Sequence, residues 1–120
     1  MNYIITKNCY HKINRFYHNV AKKYKHTYSK EMMHNNVDNA INGMYQIENR
    51  LRRRVPTISR WKGYFMANSK KWYYAYTIND NTITIVDVCH SQNMHENIKT
   101  LNMIISEVIN NYLNRNLITA

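Results

Sequence analysis

The single proline, Pro56, divides the chain into two stretches whose apolar residues recur with different periods. Before it the period is helical. Ile13, Phe16, Tyr17, Val20, Ala21 and Tyr24 recur at i, i+3, i+4, i+7, i+8 and i+11, one face of a helix for which Asn8 is the expected cap. Met33, Val37, Ala40, Ile41, Met44, Ile47 and Leu51 form the stripe of a second helix capped by Ser29. Arg52, Arg53 and Arg54 are expected in its last turn, where cations suit the helix dipole, with Pro56 as its stop. A short polar link makes the two an antiparallel hairpin. Ahead of them, Tyr3-Ile4-Ile5-Thr6 reads as a strand. Beyond Pro56, residues 61–66, 71–78 and 82–90 are aromatic and β-branched, which favours strands, and Asn79-Asp80-Asn81 tolerates the positive φ of a hairpin turn. Asn93 and Glu96 have the spacing of a capping box, and Ile98, Leu101, Ile105, Val108, Ile109 and Tyr112 mark a final amphipathic helix. The order β-α-α-β-β-β-α predicts an α+β fold, with a helical hairpin and a C-terminal helix packed on a small, mainly antiparallel twisted sheet. A length of 120 residues fits one domain, residues 1–120.

Charge narrows the partners. The formal charge is +10, which implies polyanionic company: nucleic acid, an acidic protein or an anionic surface. No apolar run approaches the roughly 20 residues of a bilayer crossing, so no membrane partner is expected. Tyr3-Ile4-Ile5 is followed at once by Lys7, Asn8 and His11, which does not read as a secretory leader; a cytoplasmic protein is expected. Cys9 and Cys89 lie far apart, outside any C-x-x-C pattern, and read as reduced thiols.

The element order resembles that of the RelE/ParE superfamily of bacterial toxin–antitoxin toxins over almost the whole chain. The carriers are the hairpin ending Leu51-Arg52-Arg53-Arg54-Val55-Pro56, the strand Trp72-Tyr73-Tyr74-Ala75-Tyr76, and the run from Asp80 to His90 (DNTITIVDVCH). Tyr76 and His90 match a Tyr and a closing His of the family pattern, and the stretch from Cys89 to Glu96 (CHSQNMHE) is similar to the ending of a Bacteroides-type subgroup. The resemblance implies a toxin that inhibits translation by metal-free, ribosome-dependent mRNA cleavage, with the ribosome and mRNA as targets and an acidic antitoxin as partner. As the alternative it admits a ParE-like inhibitor of DNA gyrase without nuclease chemistry. A nucleic-acid-binding relative without toxicity is the third reading.

Metal-free RNA cleavage needs a base, cations on the scissile phosphate, and an acid for the leaving 5′-oxygen. No acidic residue lies between Glu48 and Asp80, whereas Arg50, Arg52, Arg53, Arg54, Arg60, Lys62, Lys70 and Lys71 all do. Trp61, Tyr64, Trp72 and Tyr73 interleave with them as stacking surfaces of the kind that hold single-stranded RNA. Arg60, Lys62 and Lys71 are expected on phosphate, supported by Arg53, Arg54 and Lys70, with Trp61 or Tyr73 under a base. His90 is the expected acid, with His95 beside it. The plainer alternative makes 52–54 a complement to a helix end and the aromatics core, and Trp72 and Tyr76 share a face with Ile78. Two positions depart from the nuclease pattern: Tyr73 stands where many such enzymes have Arg, and no carboxylate lies near Lys62. The base role then falls to Lys62, to Lys70, or to His95 with His90. No metal or cofactor is expected: Cys89, His90 and His95 are adjacent ligands without a second Cys pair.

Overall fold

The alternation along residues 72–76 builds the centre of the molecule. A computed structural model describes residues 1–94. It contains β1 (Asn2–Ile5), α1 (Lys7–Lys23), α2 (Lys30–Met44), β2 (Phe65–Ser69), β3 (Trp72–Asn79) and β4 (Thr82–His90). The expected final helix, the Asn93/Glu96 capping box and His95 lie wholly or partly outside the described residues. Strand order is β1-β4-β3-β2, with β1 parallel to β4 and the other neighbours antiparallel. The described chain is therefore an α+β arrangement of two helices on a four-stranded mixed sheet. Among the described residues no helix is long and apolar enough to cross a membrane.

Trp72, Tyr74 and Tyr76 point to the helix side, where they bury against Cys9, Ile13, Ala40, Met44 and Ile47. Ala75 and the half-buried Tyr73 point the other way and pack with Ile58, Trp61, Met66 and Met94. The turn from β3 to β4 is the expected one, since Asp80 and Asn81 both hold positive φ, 48° and 62°. The pairing then slips between Ala75, opposite Asp87, and Tyr76, opposite Ile85. Val86 is the extra residue of this bulge. It turns Val88 and His90 onto the face already occupied by Ile83 and Ile85, which strict alternation would deny them.

Helix boundaries differ from expectation in two places. α1 begins at Lys7 with Thr6 as N-cap, and Asn8 lies inside the helix, where its Nδ2 donates to Val86 O and Asp87 Oδ1. Tertiary partners on β4 thus claim the side chain expected to cap. Ser29 does cap α2, accepting from Met32 N at 3.1 Å. That helix stops at Met44, however, not near Leu51. After Asn42-Gly43, two weak helix formers, the bonds tighten to i→i+3 (Tyr45 N to Asn42 O, Gln46 N to Gly43 O). Residues 52–54 consequently lie outside any helix, and Arg54 pairs its backbone with Met66 at 2.7 and 3.1 Å.

The strand expected over 61–66 is also displaced. Ser59–Trp61 is a 3₁₀ turn, Gly63 takes φ +91°, and the strand starts at Phe65. Only glycine adopts that φ at no steric cost, so the chain turns there before it can pair.

Gly43 marks the closest approach of α2 to the sheet. A Cβ there would sit 2.6 Å from Tyr74 Oη and 2.9 Å from Ser69 Cβ. Tyr74 Oη is fixed by donating to Ala40 O at 2.6 Å, and burial pushes its pKa well up, so it stays a neutral donor. Gly43→Ala should lower stability by about 1–3 kcal/mol in denaturant unfolding, the usual cost of overpacking. An unchanged midpoint would show that α2 can lift off the sheet freely.

Candidate nucleic-acid interface

Below Gly43, α2 and the β2–β3 turn enclose a cleft of about 490 Å³. Asn36, Asn39 and Gly43 follow one another along α2 at spacings of three and four and so share a face, Gln46 continues the row in the turn after the helix, and the carboxamides of Asn36, Asn39 and Gln46 line the cleft. Lys70 and Lys71 form the opposite lip, Trp72 and His90 line it as well, and none of its described lining residues is acidic. Asn36 Nδ2 donates to Tyr28 Oη at 2.6 Å, and Trp72 Nε1 donates to Tyr17 Oη at 2.9 Å. Lys70 holds φ +54° in the two-residue turn. A left-handed residue with a Cβ costs roughly 1–2 kcal/mol relative to the ordinary conformation. The turn thus carries a cation at a position where glycine would be the less strained choice.

His90 is reached from three sides. Its ring stacks on Phe16 with centroids 4.0 Å apart and meets Trp72 edge-on at 5.1 Å. Nδ1 accepts from Gln92 N–H at 3.0 Å, capping the Ser91–Asn93 turn. In the neutral ring that bond leaves the proton on Nε2. Burial, and then the Lys71 ammonium, hold the His90 pKa below its ordinary value. The side chain is therefore a structural acceptor and a neutral ring at rest, 8% exposed.

A second polar centre stands at the bulge. Asp87 accepts from Lys12 Nζ and Asn8 Nδ2 through Oδ1, and from Trp61 Nε1 through Oδ2 at 2.8 Å. Oδ1 also accepts from Val88 N, and Arg60 Nε lies 3.5 Å from Oδ2. Burial alone would raise this carboxyl; the Lys12 and Trp61 hydrogen bonds outweigh it and hold it below its ordinary value.

The expected site residues divide accordingly. Lys70, Lys71 and His90 meet at the cleft. Arg60 and Trp61 belong to the Asp87 centre, and the role expected of Trp61 is corrected: it is 1% exposed, so its ring offers no face to a base. Tyr73 is half-buried against the sheet's far side. The Arg53 guanidinium lies 4.4 Å over Phe65, Arg54 is held by its backbone at Met66, and Lys62 is exposed after the 3₁₀ turn. None of these lines either cleft that His90 lines. Cys89 and His90 face opposite sides of the sheet and do not converge, and among the described residues no group of three His, Cys, Asp or Glu could hold a metal ion. The amides of Asn36, Asn39 and Gln46 escaped the sequence reading, which followed the apolar stripe and ignored the polar period beside it. Comparison with family models, with curated proteins and with solved structures yields no match.

The depressed His90 pKa has a consequence for stability. Between the two pKa values the unfolded chain binds a proton that the folded chain refuses, so stability is complete above about pH 6.5 and falls as pH drops below it. Denaturant unfolding at about pH 7.5 and about pH 5.5 should show the loss. His90→Asn, whose carboxamide oxygen can accept the same Gln92 N–H, should lose less. Equal losses in both proteins would place the titration elsewhere.

Proposed function

We propose that this chain is a RelE/ParE-type toxin that acts in the cytoplasm on RNA engaged in translation, and that the cleft between α2 and the β2–β3 turn receives the RNA. The observation that carries the reading is the meeting of Lys70, Lys71 and His90 with a row of amides in a cleft whose described lining has no acid. Cations hold phosphate, and carboxamides offer the paired donor and acceptor that base edges need. The order β-α-α-β-β-β of the described residues agrees with the order on which the resemblance rests.

Cleavage in such a site is a transesterification: the 2′-hydroxyl gives its proton to solvent, the 2′-oxygen attacks phosphorus to close a 2′,3′-cyclic phosphate, and the bond to the 5′-oxygen breaks. Lys70 and Lys71 stabilise the charge that builds on the phosphoryl oxygens. His90 becomes an imidazolium once the bound phosphate offsets the burial and the Lys71 charge that keep the ring neutral at rest; Nδ1 then releases Gln92 N–H to carry a proton, and Nε2 gives its proton to the leaving oxygen. A cognate antitoxin with acidic side chains would meet the exposed cations of residues 50–62.

One observation favours the rival reading. No carboxylate is among the described residues that line the cleft, and His90 is already occupied as a turn cap. A ParE-like binding inhibitor of DNA gyrase requires neither a base nor an acid.

Pulse labelling after brief induction, in cells without an antitoxin, separates the two. Methionine incorporation should fall at once with the wild type and be largely restored by Lys70→Ala/Lys71→Ala. Thymidine incorporation falling first, indifferent to that pair, would move the target to DNA.

A further inference from the structure

Three clefts lie end to end across the helix side of the molecule. The α2 cleft shares Trp72 and His90 with a second of about 240 Å³, walled by Arg15 and Asn19 of α1. That one shares Phe16, Asn19 and Asn93 with a third of about 250 Å³, which reaches Lys23, Tyr24 and Gln92. His90 is thus the ridge between two depressions rather than the end of one.

The α1 side has a charge pattern of its own. No acidic residue precedes Glu31, whereas Lys7, Lys12, Arg15, Lys22, Lys23, Lys25 and Lys30 do. Lys12 is taken by Asp87. Among the described residues the ion pairs involve neither Arg15 nor Lys23, and both are exposed. Their separation along the helix is about 12 Å at 1.5 Å per residue. Lys23 Nζ lies 5.4 Å over the ring of Tyr24, which is half exposed at the far end of the third cleft. Asn19, Gln92 and Asn93 place carboxamides between these cations, as Asn36, Asn39 and Gln46 do beside Lys70 and Lys71.

We infer that α1 forms the second half of a single-stranded RNA track, in which Arg15 and Lys23 hold the phosphates of nucleotides flanking those in the α2 cleft. The inference rests on the function proposed above and extends it from a site to a path. The path must bend over the Trp72–His90 ridge, which a flexible strand follows freely and a duplex, with a persistence length of about 150 bp, follows only at a bending cost. An acidic peptide would need donors alone, whereas carboxamides in every cleft supply acceptors as well, and Tyr24 supplies a ring for stacking.

Fluorescence anisotropy with labelled RNAs of about 4 and about 12 nucleotides, within the span of known single-strand sites, tests the track over a range of salt. Arg15→Ala/Lys23→Ala should weaken the longer RNA about tenfold and reduce its salt slope by about 1.4, leaving the shorter unchanged. Lys7→Ala/Lys30→Ala removes the same charge away from these clefts and should leave the slope alone. An equal loss with that control pair would reduce the effect to net charge and overturn the inference. So would a longer RNA that ignores Arg15 and Lys23 while the shorter responds to Lys70→Ala/Lys71→Ala. If the shorter RNA ignores Lys70 and Lys71 as well, the reading of the α2 cleft fails first, and the track with it. Poly-glutamate that binds as tightly as RNA, with the same sensitivity to Arg15 and Lys23, would reassign the path to an acidic protein.

Discussion

The Asp87 carboxylate holds together segments that the rest of the structure needs in register. Lys12 and Asn8 bring α1 to it, Trp61 and Arg60 bring the turn after Pro56, and Val88 N–H ties it to its own strand. A half-buried carboxylate is costly to desolvate and is tolerated only when its lone pairs are filled. Here they are filled from both sides of the sheet. Arg60 contributes least, since it approaches only to 3.5 Å and is itself half exposed. The partners that matter are Lys12 and the Trp61 indole. Removing either leaves a charge without its compensation, a far larger loss than the net worth of one hydrogen bond.

The bulge beside Asp87 explains why His90 lies on the helix side. With strict alternation His90 would share a face with Val88 only by pointing where Cys89 now points. The extra residue, Val86, brings His90 onto Phe16 and Trp72, within the wall of the α2 cleft and of its neighbour along α1. One side chain therefore both caps the turn after β4 and lines the cleft. Capping Gln92 N–H and stacking on Phe16 give the ring a fixed place, and the same burial favours its neutral form. Lys70 shows the complementary case, a cation kept in a strained turn conformation at the lip of that cleft.

Much of the fold was legible where local chemistry and long-range packing ask for the same thing. Asp80 and Asn81 suit a turn with two positive φ angles, and the aromatics of β3 alternate, so the β3–β4 hairpin could be read directly. Ser29 was legible as a cap because its partner is three residues away. The end of α2 was not, because Ile47 and Leu51 keep helical spacing through tightened turns that bury them equally well. Asn8 and Trp61 were misread for a common reason: their partner, Asp87, lies 79 and 26 residues away in sequence. Asp87 itself carried a signal, as the acid within a β-branched and apolar strand. The bulge left none, since Ile83, Ile85, Asp87 and Cys89 alternate as plausibly as the pairing that forms. At the candidate site, Lys70, Lys71 and His90 were visible as charge and position, whereas the amides of Asn36, Asn39 and Gln46 were hidden beside a stronger apolar period.

The chain has two tryptophans, Trp72 in the wall of the α2 cleft and Trp61 buried at Asp87. Their indole N–H signals in a ¹H–¹⁵N correlation spectrum, followed during titration with a short single-stranded RNA, report on the two places independently. The account predicts that the Trp72 indole signal moves in step with the Lys71 and Gln46 backbone amides while the Trp61 signal stays put. Movement of Trp61 and its neighbours 60–62, with Trp72 unmoved, would put the nucleic acid on the other side of the sheet and contradict it.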